Sequence, residues 1–311
     1  MWSKRKQTNI IMRDLNEGSK MNSSLRSIRD PELYRDREYV EYYGASQDNF
    51  LARLCKDLVL GAKLKPTDIV ADLGCGTGYA TREIVRSGVK KVYAIDPSKE
   101  MLAGSCGNLD SCIIINGTID DLIATNLERP DVILSSGVFV VMQNPEQEFQ
   151  KIFYYLRKGR RHIFTVEDWE NSSVDGEDSL VFIARVSDLE QSLGLDSLKI
   201  DVSGGKTYSE EEVLSMINFS GGKLKSVSKR RMSYSALDDF SWDFRMNNIQ
   251  AELSQIQNFL SEERSVGKSL RLLRQRERLL LENKKLETVK SLYLGKEWTI
   301  GTQYIYETEK K

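Results

Sequence analysis

Apolar and polar positions along the chain follow a helical period first and then a strand-like one. From about Tyr39 to Leu60 apolar and aromatic residues recur three and four apart, as in Phe50, Leu51, Leu54 and Leu58. That spacing predicts a helix. Lys65-Pro66-Thr67-Asp68 carries turn chemistry. Five short apolar runs follow, at Ile69–Leu73, Val92–Asp96, Cys112–Ile115, Asp131–Ser135 and His162–Val166. Helical patterns fall between them, over Tyr79–Ser87, from Ser98 to Leu102, and over Pro145–Leu156. In the last of these Phe149, Ile152, Phe153 and Leu156 share one face. Continuous apolar strands alternating with helices predict a parallel sheet covered on both faces. Right-handed crossovers then give a doubly wound α/β sheet.

After Glu167 the alternation stops. Asn171 to Asp178 reads as a polar loop, and Leu180 to Leu193 as an amphipathic helix. Ser209 is placed to cap a helix to Ile217 with acidic residues in its first turn. Lys223 to Tyr234 predicts a strand, Leu237 to Leu294 a long helical stretch, and Thr299 to Tyr306 a last strand. A strand, an insertion and a strand predict an antiparallel pair closing the sheet edge. The organisation expected is an arm over 1–38, a core over 39–170, a lid and connecting helix over 171–222, and the edge pair with its helical insertion over 223–311. In the insertion Val266, Leu270, Leu273 and Leu280 form a stripe, continued by Leu286, Val289 and Leu292. Arg271, Arg274, Arg276 and Arg278 decorate it. A helical cap with a solvated basic face accounts for this pattern. A homodimer seam, a substrate lid, or a contact for an acidic partner such as RNA or a carrier protein accounts for it too.

Composition narrows the function. The chain has 311 residues, room for one large domain or one domain with an insertion. Its net charge of -1 argues against bulk electrostatic capture of nucleic acid or of an anionic membrane. No apolar run is long enough to span a bilayer, and the first thirty residues lack the apolar core of a signal peptide. Cys55, Cys75, Cys106 and Cys112 match no zinc spacing, and His162 is the single histidine, so no metal site is expected. Reduced thiols and a cytoplasmic location are the expectation.

The chemistry concentrates at Val70-Ala71-Asp72-Leu73-Gly74-Cys75-Gly76-Thr77-Gly78. A strand runs into glycines at every second position and then into a helix. Such a turn lets backbone approach a ligand and presents free amide donors. A dinucleotide site expects G-x-G-x-x-G, but Tyr79 stands where its third glycine belongs. Asp72 suits an ammonium better than a pyrophosphate. Asp96, ending the second strand, can accept from both hydroxyls of a ribose in either ligand.

The segment Asp72 to Gly78 resembles motif I of the class I S-adenosylmethionine-dependent methyltransferases. The similarity continues through Ile95-Asp96-Pro97-Ser98, Gly117 to Leu122, Asp131 to Val138, and Leu156-Arg157-Lys158-Gly159. It covers roughly Tyr42 to Asp168. The resemblance implies a mostly parallel, seven-stranded Rossmann-like sheet with helical insertions. It implies S-adenosylmethionine as methyl donor and S-adenosylhomocysteine as product. Gly74, Cys75, Gly76 and Gly78 would pass under the methionine part, with Asp72 and the Ser135 carbonyl near its amino group. Asp96 would hold the ribose. Pro97, Ser98 and Met101 would lie along one edge of the adenine, and Thr118, Ile119 and Asp120 along the other. Many relatives carry an acid where Thr118 stands, which leaves the adenine amino group to Asp120 or to water. Tyr42 and Tyr43 precede the first strand, where relatives fold a lid over the cofactor.

Methyl transfer is a displacement at an activated sulfonium carbon, so positioning and desolvation supply much of the acceleration. The chain lacks the Asn/Asp-Pro-Pro-aromatic run of adenine and amide methylators, and the acidic cluster of metal-dependent catechol methylators. It also lacks a histidine pair near Val140 and Val141. Phe139, Val140 and Met142 predict an apolar pocket wall. His162 begins its strand, the wrong end for a ligand site, and reads as structural. Glu167 and Asp168 stand at the correct end and, with Tyr43, are the catalytic candidates. A solvated loop or a cap accounts equally for the two acids, and ordinary packing for Tyr43. The expected activity is methylation of a small molecule at oxygen, nitrogen or carbon. The alternatives are an RNA or protein methyltransferase docking through the helical insertion, and a scaffold that binds the cofactor without catalysis.

Overall fold

A computed structural model describes Arg35, Val40 and residues 50–103, 112–139, 141–168, 173–195, 208–235, 240–262 and 266–311. The first described helix, α1 (Phe50–Gly61), leads into strand β1 (Ile69–Leu73). The alternation then runs α2 (Tyr79–Arg86), β2 (Lys91–Asp96), α3 (Lys99–Leu102), β3 (Cys112–Asn116), α4 (Ile119–Ala124), β4 (Val132–Ser135), α5 (Pro145–Tyr155) and β5 (Arg161–Asp168). A short pair, β6 (Ser173–Val174) and β7 (Glu177–Asp178), precedes α6 (Ser179–Ser192) and α7 (Glu210–Phe219). Last come β8 (Gly222–Ser235), α8 (Phe240–Glu262), α9 (Val266–Lys290) and β9 (Glu297–Lys310).

The seven main strands lie in the order β3-β2-β1-β4-β5-β9-β8. The pairs among β1 to β5 are parallel, and β9 runs antiparallel between β5 and β8. This is the mostly parallel, doubly wound sheet that the pattern predicts, with the edge pair carrying the insertion. Every residue of β1 and β4 is buried, as strands covered on both faces must be. On one face Val70, Val92, Val132, Leu134 and Ile163 pack against Leu58 and Val59 of α1 and Ala80 and Ile84 of α2. On the other face Ile69, Tyr93, Ile133, Phe164 and Tyr306 pack against α4, α5 and Val213, Met216 and Ile217 of α7. The sheet therefore exposes its carboxyl ends as the place for chemistry.

Two expectations are corrected. The stretch expected as a polar loop, 171–178, contains the β6–β7 hairpin. Asp175 and Gly176 both hold positive φ, 49° and 82°, which is what a two-residue hairpin turn with the strand's own twist requires. Val174 pairs with Trp298 on β9, so the hairpin continues the β5 edge of the sheet. The second correction concerns α9. Leu270, Leu273 and Leu280 are exposed, and the seam runs through half-buried Leu272 and buried Leu279 and Leu286 to Tyr293 just past the helix end, at intervals of seven. It meets Ile249, Leu253, Ile256 and Leu260 of α8, together with Leu54 of α1, Phe182 of α6 and Met232 of β8. Leu286 and Val289 keep the buried places expected of them. The run from Leu270 to Leu281 offers two apolar stripes, and periodicity alone does not choose between them.

Candidate functional site

The glycine turn after β1 is fastened from β2. Gly74 N–H and Cys75 N–H both donate to the Ile95 carbonyl, at 2.8 and 3.0 Å. Gly78 N–H closes the turn onto the Cys75 carbonyl at 2.8 Å, and Arg82 Nη1 donates to the Thr77 carbonyl at 2.9 Å. Gly74 has φ 74° and lies against Val138, where a Cβ would come within 2.4 Å of Cγ2. Gly76 also holds a left-handed φ, 53°, but a Cβ there would meet nothing within 4 Å. The turn thus needs glycine at both positions for its conformation, and only Gly74 for space as well.

Asp96 is the acid that this turn organises. Gly76 N–H donates to Oδ2 and Ser98 N–H to Oδ1, each at 2.9 Å. Burial raises its pKa, and the two amides pull the other way. Each carboxylate oxygen has a further lone pair, so a vicinal diol can donate to both. Asn116 Nδ2 donates to the carbonyls of Asp96 and Pro97 at 3.1 and 3.0 Å, which pins the end of β2. Asp72 is buried on β1 and accepts from Thr81 Oγ1 at 2.5 Å. These residues fit the S-adenosylmethionine that the motif implies: a cradle of positive-φ glycines, a carboxylate oriented for a ribose, and a second acid beside the turn.

The remaining candidates are placed as follows. Ser98 caps α3 through Met101 N–H, with Met101 buried behind it and Pro97 exposed. Thr118 caps α4 in a reciprocal capping box with Asp121. Ile119 is buried, and the exposed Asp120 is paired with Lys151 at 2.6 Å. Ser135 is buried at the end of β4, its hydroxyl 3.3 Å from His162 Nε2. His162 is fully buried among Phe149, Phe153 and Phe164, and burial pulls its pKa down to about 3. It is a neutral core residue. Glu167 lies at the carboxyl end of β5, and Asp168 closes that strand opposite Thr302. Tyr42 and Tyr43 lie outside the described residues.

The sequence reading did not single out four groups that surround the same end of the sheet. Cys55 Sγ of α1 lies 3.6 Å from Ser136 Oγ, within the influence of both Asp72 and Glu167. Burial pushes its thiol up to about 12, so it is not a thiolate nucleophile at neutral pH. Thr165 Oγ1 accepts from Gly137 N–H at 2.8 Å. Gln303 of β9 faces Glu167 across the strands and donates to its Oε1 at 3.2 Å. Only Ser136 falls within a segment of the family resemblance, and each of the four acts through a partner distant in sequence.

Residues 71–164 match the family model described as a methyltransferase domain. A tRNA U34 carboxymethyltransferase of Alteromonas mediterranea is 27% identical over 125 residues, 37% of this chain and 36% of that protein. A malonyl-[acyl-carrier protein] O-methyltransferase of Halalkalibacterium halodurans is 30% identical over 124 residues, 37% of this chain and 44% of that protein. The matches therefore span less than half the length of these curated relatives. Among solved structures, the YcgJ protein of Bacillus subtilis superimposes with a TM-score of 0.48 at 11% identity, covering 83% of this chain and 99% of that one.

Proposed function

We propose, for a chain whose core domain belongs to the class I S-adenosylmethionine-dependent methyltransferase family, that the protein transfers the methyl group of S-adenosylmethionine to a small-molecule acceptor. The observation that carries this reading is Asp96, whose two oxygens are aimed by Gly76 N–H and Ser98 N–H beside the glycine turn. S-adenosylmethionine supplies an activated methyl carbon when bound. Asp96 would accept from the ribose hydroxyls, the turn Gly74 to Gly78 would pass under the methionine part, and Asp72 and the Ser135 carbonyl would face its amino group. Ser98, Met101, Ile119 and Asp120 would border the adenine. Glu167 and Asp168 stand where an acceptor would meet the donor, and Glu167 can take its proton. Among the described residues no group of three or more His, Cys, Asp or Glu side chains is placed to hold a metal ion, and no helix is long and apolar enough to cross a membrane.

Calorimetric titration with S-adenosylmethionine, and separately with NAD, tests the donor assignment. Saturable binding of S-adenosylmethionine alone supports it, and binding of NAD alone overturns it. Asp96→Ala should weaken the donor by roughly 1–3 kcal/mol, the range for a hydrogen bond to a charged group. Unchanged affinity would remove the ribose role.

A second reading rests on the surface of α9. Arg271, Arg274, Arg276 and Arg278 are exposed there, beside exposed Leu270, Leu273, Leu280 and Leu281. Such a face suits docking of an RNA or protein acceptor, or of a second copy of the chain. Substrate binding that falls steeply with salt would favour RNA, and a doubled mass in solution would favour the homodimer.

A further inference from the structure

Glu167 and Gln303 are set deep at the carboxyl end of the sheet, only 7% and 2% exposed. They face each other directly across β5 and β9, joined by the bond from Gln303 Nε2 to Glu167 Oε1. That bond leaves two acceptors. Thr165 also hydrogen-bonds to the Glu167 carboxylate, and among the described residues Glu167 Oε2 and Gln303 Oε1 are the atoms left without a partner. Buried polar atoms are otherwise satisfied almost everywhere in proteins, and an isolated pair of acceptors on neighbouring strands is costly. A group that brings hydrogen-bond donors to both would remove that cost.

The position of the pair says which ligand this is. Ile163 packs on the α1 face of the sheet, and side chains alternate along a strand, so Thr165 and Glu167 stand on that face too. Asp72 shares it, two residues beyond Val70 on β1. Cys55 of α1, 3.6 Å from Ser136 Oγ, feels the charge of both acids. The pair therefore lies at the carboxyl end of the sheet on the face that carries Asp72, two strands over from β1, and α1, which covers that face, also reaches α8 and α9 through Leu54.

The number and kind of free atoms define the chemistry. A hydroxyl carries one hydrogen and satisfies one acceptor. A primary or secondary ammonium carries three or two, together with a charge that a carboxylate matches. We propose that Glu167 and Gln303 recognise a primary or secondary amine as the methyl acceptor, holding its nitrogen by two hydrogen bonds. This rests on the donor assignment made above. In the reaction an alkylammonium nitrogen gives one proton to Glu167. The lone pair so freed forms the N–C bond to the methyl carbon. The C–S bond breaks with its electron pair left on sulfur. The products are an N-methylammonium, S-adenosylhomocysteine and a protonated Glu167.

The test uses sinefungin, an analogue of the donor in which a carbon bearing an amine replaces the methylated sulfur. S-adenosylhomocysteine, which lacks both the methyl and that additional amine, is the reference. Both are titrated calorimetrically into the full chain, into Glu167→Gln, and into the exchanged pair Glu167→Gln with Gln303→Glu. The unaltered protein should prefer sinefungin by about ten- to a hundredfold, as a charge-assisted hydrogen bond provides. Glu167→Gln should erase that preference while S-adenosylhomocysteine binds as before. The exchanged pair should recover part of it, because the acid returns on the neighbouring strand; a merely structural role would not produce this recovery. An unaltered protein with no preference, or a preference that survives Glu167→Gln, overturns the inference while leaving the donor site standing. Failure of S-adenosylhomocysteine to bind the unaltered protein overturns the donor assignment, and the inference with it.

Discussion

The glycine-turn end of the sheet and the helical insertion hold their shapes by different means. The glycine-turn end rests on strands buried on both faces, and its fixed groups are backbone amides, glycines and one carboxylate clamped by two N–H groups. The insertion rests on one seam, in which side chains of α8 and α9 mesh at intervals of seven. Its other face shows Leu270, Leu273, Leu280 and Leu281 to solvent. A turn clamped onto a covered sheet has a single conformation, and its requirements are written as residue types at fixed spacing. A helical hairpin with two apolar stripes can be seated either way, and what decides is contact with the rest of the molecule. Leu54, Phe182 and Met232 make that choice here, from three elements far apart in the chain.

The largest expected effect tests whether the seam is as firm as the sheet. Leu286 is buried within it, whereas Leu281, five residues earlier on another face, is exposed. Leu286→Ala should destabilise by about 2–5 kcal/mol, the range for emptying a packed leucine site. Leu281→Ala should stay within about 0.5 kcal/mol. Urea unfolding gives both numbers. Hydrogen exchange then says whether the loss is global or confined to α8 and α9. Equal losses for the two leucines would mean that the face carrying Leu270, Leu273 and Leu281 is packed as firmly as the seam.

Next in size is the contrast between two glycines of one turn. Both have left-handed backbone, which costs a residue with a Cβ roughly 1–2 kcal/mol. Gly76→Ala should cost about that much, since its Cβ meets open space. Gly74→Ala must also displace Val138, adding roughly 1–3 kcal/mol of overpacking. Urea midpoints should therefore rank Gly74→Ala below Gly76→Ala. Shortening the neighbour in Gly74→Ala with Val138→Ala should recover part of the difference. If the double variant gains nothing, the close approach to Val138 is not what excludes a side chain at Gly74.

The same contrast explains what could be read from the chain and what could not. The strands, the covered sheet and the glycine turn were legible because strand period and glycine spacing are local; the order of the strands was not. Asp96 was legible because it ends a strand at a fixed distance from the loop. Gln303 was not: it meets Glu167 only through the antiparallel register of β9 on β5, 136 residues away. The Ser136 partner of Cys55 escaped for the same reason. The β6–β7 hairpin could have been found, since Asp175-Gly176 is a two-residue turn signal between strand residues. It was obscured by strands only two residues long, too short for a period to show.

The last of these effects, comparable in size to that of Gly76→Ala, concerns the sheet core beneath the glycine turn. His162 is buried neutral, its pKa pulled down to about 3 by burial. In the unfolded chain it titrates near 6.5. As pH falls below about 6.5 the unfolded chain takes the proton first, so the folded state loses stability progressively until about pH 3. Between pH 7 and pH 5 that loss should be about 2 kcal/mol. His162→Leu should abolish this part of the slope while lowering stability somewhat at pH 7, where the Ser135 contact is lost. Glu167 and Asp96 act in the opposite sense. Burial raises their pKa values, so the stability they contribute is greatest at low pH and is lost as pH rises through those values. Both acids remain in the variant and cancel in the comparison. Urea unfolding of the two proteins at pH 7 and pH 5 isolates the histidine. Parallel losses would mean that the folded state accommodates the imidazolium, and that the aromatic cluster of Phe149, Phe153 and Phe164 is more open than its packing against the ring indicates.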